Sequence, residues 1–201
     1  MNKRNAENFK KILLVLIFVL IAVVVFYRLQ NAPSGNAEAE LSDVQYVLQR
    51  DLSIDYPASP RAVVKYYAQL SQALYQDGVE ESEIEAIGRQ MRRLFDDELL
   101  AMQSDEEFLA SLKAAVSSFR QDHRRIINFT ITSTADVVYE KNSLGDMSSL
   151  YCTYVLQKDA QTYSDREQFL LRRDAASHWK ILGWQSANTN TSVEGGSSSD
   201  E

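Results

Sequence analysis

Apolar positions in the first half of the chain beyond residue 40 recur at helical spacing. Val63, Tyr66, Tyr67, Leu70 and Leu74 lie three and four residues apart and share one face. Ser59-Pro60 supplies an N-cap and a favoured first helical residue, and Gly78 supplies a stop. A second helix is predicted from Ser82, where Ser82-Glu-Ile-Glu85 has the form of a capping box. Ile84, Ile87, Met91, Leu94 and Phe95 continue it along one side. A third helix opens the same way at Ser104-Asp-Glu-Glu107 and carries Leu109, Leu112, Val116 and Phe119.

Near residue 125 the period falls from 3.6 to 2. RIINFTIT sets Ile127, Phe129 and Ile131 against Asn128, Thr130 and Thr132, and β-branched residues continue to Tyr139. After the turn NSLGD, SLYCTYVLQ sets Leu150, Cys152, Tyr154 and Leu156 against Tyr151, Thr153, Val155 and Gln157. REQFLLRR sets Phe169 and Leu171 against Gln168, Leu170 and Arg172, and the loop DAAS leads into HWKILGW. Short turns between alternating runs predict antiparallel pairing, so the fold class is α+β: an α+β roll of three helices packed on a curved antiparallel sheet of about four strands.

Strict alternation assigns Ile127, Phe129, Ile131, Leu150, Cys152, Leu156, Phe169 and Leu171 to the face beneath the helices. The opposite face combines Asn128, Thr130, Thr132, Tyr151, Thr153, Val155 and Leu170 with Leu182 and Trp184. Threonines with tyrosine and tryptophan suit a ligand cavity or a docking surface, so Tyr151, Thr153, Thr130 and Trp184 are the candidate binding residues. A bulge at Gly183 would reverse the parity of Trp184.

Upstream of this domain, Ile12 to Tyr27 is an uncharged apolar run without Gly or Pro. As a helix it is about 24 Å long, and Lys10, Lys11 and Arg28 can snorkel to complete a span. Lys3, Arg4, Lys10 and Lys11 precede the run, whereas only Arg28 closely follows it. The expected order is a cytoplasmic tail (1–11), a retained single transmembrane helix (12–29), a linker (30–42), an exported domain (43–186) and a disordered acidic tail (187–201). This places the protein in the cell membrane with its N-terminus inside.

Charge narrows the partners. The whole chain has 21 Lys+Arg and 28 Asp+Glu, of which the first thirty residues hold five and one, leaving 16 against 27 and a net of −11 beyond them. So acidic an exported part argues against nucleic acid and against adhesion to anionic lipid. Cys152 is the lone cysteine, without an intramolecular disulfide partner, and reads as a small buried hydrophobe.

The segment LLRRDAASHWKILGW, with the element order over residues 59–185, resembles the nuclear transport factor two-like superfamily, a cystatin-like α+β roll. DLSIDYPASPRAVVKYY, LFDDELL and WKILGW behind an N-terminal anchor look more closely like an uncharacterised bacterial family of single-span proteins carrying such a domain. The superfamily includes isomerases, dehydratases, polyketide cyclases, ligand-binding modules and bitopic assembly components of type IV secretion systems. The resemblance therefore implies a fold and several functions. Its enzymes use a cavity acid or base, commonly Asp or His supported by Tyr.

Measured against that pattern, His123 sits at a helix end and His178 beside a turn, both read as structural or solvated, while Asp136 is a minor pocket-acid candidate. Asp96-Asp97-Glu98, placed late in the second helix, reads as a solvated or Arg92/Arg93-paired cluster rather than a metal site. The pairs Arg92-Arg93, Arg124-Arg125 and Arg172-Arg173 read as surface ion pairs, and DYPASPR as a stiff entry to the first helix or a docking ridge around Tyr56. No catalytic set, cofactor or metal is assigned. The expected function is a non-catalytic envelope scaffold or assembly module, with a protein partner or a second copy on the Tyr151 face. The alternatives are a small-molecule binding domain using the roll cavity and, third, an isomerase- or dehydratase-like enzyme.

Overall fold

A computed structural model describes residues 42–187. The expected tail, the transmembrane helix, all of the linker but Ser42, and all but the first residue of the acidic C-terminal tail lie outside the described residues. Among the described residues, no helix is long and apolar enough to cross a membrane.

The described chain folds into helices α1 (Asp43–Leu48), α2 (Pro60–Leu74), α3 (Glu81–Arg92), α4 (Asp97–Ala101) and α5 (Asp105–Gln121), then strands β1 (Arg124–Ile131), β2 (Val138–Asn142), β3 (Gly145–Lys158), β4 (Gln161–Arg173) and β5 (Trp179–Ser186). The strands form one curved, wholly antiparallel sheet in the order β1-β3-β4-β5. β3 is long enough for its first residues to pair with β2 and its last with β1 along the same edge. The expected long strand from 125 to 139 is in fact two strands, broken by a 3-10 turn at Thr134–Asp136.

Local chemistry explains most helix ends. Ser59 Oγ accepts the Ala62 N–H at 3.2 Å, with Pro60 in the first turn. At α5, Ser104 Oγ accepts the Glu107 N–H at 3.2 Å while the Glu107 carboxylate accepts the Ser104 N–H at 3.0 Å, as the sequence predicts. α3 begins earlier than its serine suggests: the Glu83 carboxylate accepts the Glu80 N–H at 2.9 Å. That register puts Val79 and Ile84, both buried, at the two positions of a hydrophobic staple, which the Ser82 register would not.

α3 also ends sooner than its apolar period implies. Leu94 to Asp96 leaves the helix and runs beside β5, with the Asp96 N–H donating to Ile181 O and the Ile181 N–H to Leu94 O, each at 2.8 Å. The acidic trio therefore opens α4 rather than closing α3. Asp96 Oδ1 accepts the Glu98 N–H at 3.0 Å, and acids at a helix start are favourable. Arg172 donates to Asp96 through Nε at 3.0 Å and to Glu98 through Nη1 at 2.7 Å. Their partner is thus Arg172 rather than Arg92 or Arg93, and with Asp96 only 4% exposed this is a partly buried ion pair, not a surface one.

Two bulges set which side chains face the helices. In β1 the register shifts between Ile126 and Asn128, so Ile126 and Ile131 are buried and Ile127, expected inside, is exposed. Helix α2 holds this bulge: Gln72 and Gln76 donate to the carbonyls of Ile127 and Ile126 at 3.0 and 3.3 Å. In β5, Ile181 pairs with Leu171 and Gly183 with Leu170, leaving Leu182 as the extra residue. The core beneath the helices holds Leu150, Cys152, Tyr154, Leu156, Phe169, Leu171 and Ile181, all buried.

Candidate functional site

The β5 bulge decides where the aromatic chemistry gathers. Beyond it Trp184 pairs with Phe169, which is fully buried, and its ring lies 5.4 Å from Tyr67, 5.7 Å from Phe95 and 6.0 Å from Phe169. Trp184 therefore faces the helices. Thr130 and Thr153 are direct cross-strand partners on the outer face, which also carries Tyr151, whose ring has the Arg166 guanidinium 4.0 Å from its centre. The four predicted binding residues thus divide, three outside and Trp184 inside. Parity is the reason, since one extra residue inverts it.

On the inner side β5 pairs as far as Glu167, and among the described residues no strand continues on that side of the beginning of β4. Above this uncovered stretch α5 stands off the sheet. Of its apolar stripe only Val116 is fully buried, while Phe108, Leu112 and Phe119 are half-buried. Between them lies a cavity of about 360 Å³. Its walls are Tyr67, Ser71, Leu74 and Tyr75 from α2, Phe108, Leu112 and Phe119 from α5, Tyr154 and Leu156 from β3, Asp165 and Glu167 from β4, and Trp184, with Met91 and Ile126 completing the lining. A groove of about 910 Å³ along α5 adjoins it, with Phe108, Leu112 and Trp184 common to both.

Two polar groups distinguish this cavity from a core defect. The Tyr154 hydroxyl is fully buried and has no hydrogen-bond partner of normal geometry among the described residues; its polar neighbour is the weakly bonding Cys152 thiol. Glu167 lies across from Cys152 and diagonal to Tyr154. Burial, then the nearby charge of Asp165, pushes its carboxyl up to about 7. Burial likewise raises the phenols of Tyr67, Tyr75 and Tyr154 and pushes the Cys152 thiol up to about 12, which leaves it inert, as a buried hydrophobe should be.

Chemically, Glu167 can hold a proton or release it near neutrality, and Tyr154 can donate or accept one hydrogen bond. The polar set is oxygen only, and among the described residues no cluster of three or more His, Cys, Asp or Glu could hold a metal.

The remaining sequence candidates lie elsewhere. Asp136 is exposed in the 3-10 turn and accepts from Ser133 Oγ at 2.6 Å, so it is not a pocket acid. His123 is exposed with a φ of 51° beyond α5, and the His178 ring lies tilted against Tyr56 with centroids 4.3 Å apart. Tyr56 donates to Trp179 O at 3.0 Å and lies under Lys180, which makes DYPASPR a brace for β5. Arg124 pairs with Asp122 at 2.7 Å and covers the Phe119 ring. Glu167 lies within REQFLLRR, but its acidic side chain was not counted with the apolar Phe169 and Leu171 that share its parity. Extending the Phe169/Leu171 parity backward would have placed Glu167 and Asp165 inside.

A family model described as a domain of unknown function, DUF6715, matches residues 1–184. The chain belongs to this family. No curated protein matches it.

Proposed function

We propose that this DUF6715 domain is a small-ligand-binding module. The observation that carries the reading is an aromatic-lined cavity of about 360 Å³ with the half-buried Glu167 in its wall. A mostly apolar wall with a few convergent polar groups is the usual form of a small-molecule site, and about 360 Å³ is at the small end of that range. The element order accords with the resemblance to nuclear transport factor two-like rolls, which include such modules. The apolar run Ile12 to Tyr27 supports display outside the cell membrane on a single N-terminal anchor.

The test is purification of the full-length chain from its own cells, with native mass spectrometry to detect retained small molecules. Leu112→Trp, which fills the cavity from α5, is the comparison. A molecule held by the wild type and lost in the variant is expected. An empty wild-type chain that also shows no change in tryptophan fluorescence with any apolar fragment would sink the reading.

A second reading rests on the outer face. Thr130, Thr153 and the Tyr151–Arg166 stack lie side by side there, with no described helix over them, which supports a docking surface for a protein partner or a second copy. Crosslinking of wild type and Tyr151→Ala tests it. A stoichiometric partner lost in the variant is the expected result, and an unchanged pattern would count against it.

A further inference from the structure

The cavity's own chemistry narrows its ligand. The carboxyl groups in its lining are those of Asp165 and Glu167, and among the described residues no Lys, Arg or His lines it. Aromatic rings surround them: Tyr67 and Tyr75 from α2, Phe108 and Phe119 from α5, and Trp184 from β5. Ring faces attract cations and offer nothing to anions, and the Glu167 carboxylate repels an anion further. Tyr154 belongs to the same wall, with its hydroxyl sealed beneath the surface beside the Cys152 thiol. We propose that the ligand is a protonated primary amine on an apolar body, its ammonium group held by the Glu167 carboxylate and the aromatic ring faces around it. This rests on the small-ligand reading of the same cavity.

Proton linkage gives the inference a signature. An ammonium ion binds the ionised form of Glu167, so binding releases a proton and tightens as pH rises through about 7. The groups facing Glu167 are Asp165 on its own strand, Cys152 and Tyr154 on β3, and Tyr67 and Tyr75 on α2. The phenols and the thiol stay neutral throughout this range. Lining residues from α5 and β5 carry no charge, and Arg124 on β1, whose charge reaches Tyr75, is paired with Asp122. Between pH 6 and 8 the ionised fraction of Glu167 grows about tenfold, and so should the affinity. A neutral ligand that accepts a hydrogen bond from protonated Glu167 shows the opposite slope.

Calorimetry on the full-length chain in lipid nanodiscs at pH 6, 7 and 8 tests this with three probes: 2-phenylethylammonium, its uncharged counterpart 2-phenylethanol, and phenylacetate. Expected is selective binding of the ammonium probe, about tenfold tighter at pH 8 than at pH 6, with the slope abolished in Glu167→Gln. The wild-type slope alone is decisive should that variant fold poorly. Equal or tighter binding of the alcohol or the acid would overturn the amine inference and leave the ligand-binding reading standing. Binding of none of the three would overturn both.

Discussion

Replacing Glu167 by Gln should leave stability nearly unaltered in acid and raise it in base. A carboxyl whose ordinary value of 4.5 is pushed up to about 7 by burial and Asp165 resists ionisation in the folded chain but not in the unfolded one. Its folded-state value is raised, so below 4.5 both states bind the proton and the group is neutral to stability. Between 4.5 and about 7 the unfolded chain releases the proton first, and stability is lost as pH rises. Above about 7 the loss is complete. At about 1.4 kcal/mol per pH unit the gap amounts to roughly 3 kcal/mol, with most of it accruing between pH 5 and pH 8.

Gln has nearly the same shape and does not titrate, so any hydrogen bond it gains or lacks contributes equally at both pH values. The quantity to measure is therefore the difference between variant and wild type in urea unfolding at pH 5 and at pH 8. The expected change in that difference is about 2–3 kcal/mol in favour of Gln at the higher pH. A pH-independent difference would refute the placement of Glu167 in a water-poor cavity, and with it the polar anchor of the site.

Arg172→Met removes the partner of Asp96, which is 4% exposed, and should destabilise the domain by about 3 kcal/mol, whereas the same change at the exposed Arg89 should cost well under 1; paired urea titrations compare them. Ser104→Ala removes the reciprocal cap of α5 and should cost about 1 kcal/mol, with hydrogen exchange accelerated in the first turn of that helix. Gly88→Ala brings a methyl within 2.7 and 2.8 Å of the Leu109 and Leu112 Cδ2 atoms. Both are flexible side-chain ends on the cavity-lining helix, so thermal melting should show a modest loss while affinity for any cavity probe changes more than stability does.

Periodicity carried the sequence reading furthest where side chains act alone. The α2 face, the α5 cap and the buried sets of β3 and β4 follow from spacing of 3.6 or 2 and from local capping chemistry. It failed where tertiary bonds choose the register. Nothing local in RIINFTIT says which residue is extra. Gln72 and Gln76, some fifty residues away, make the choice by holding the bulge carbonyls. The end of α3 is similar, since the apolar period through Phe95 survives in the pattern although Leu94 and Asp96 bond to Ile181 instead. In β5, Gly183 did signal irregularity, and the observed extra residue beside it turns Trp184 from the outer face to the inner one.

The placement of the acids argues for function over fold. On β4, inward positions alternate Tyr163, Asp165, Glu167, Phe169 and Leu171, so one strand passes from two acids to two fully buried apolar side chains. At the apolar end the layers close completely. At the acidic end they do not: α5 stays half-exposed along Phe108, Leu112 and Phe119, and a cavity remains. Apolar residues at 165 and 167 would let α5 settle onto the sheet and would remove a destabilisation of roughly 3 kcal/mol at Glu167 alone. A chain selected for stability alone would be expected to adopt them, since the same strand does so four residues later. That two inward acids line the cavity left between α5 and the sheet is the local inconsistency expected of a site that something else completes.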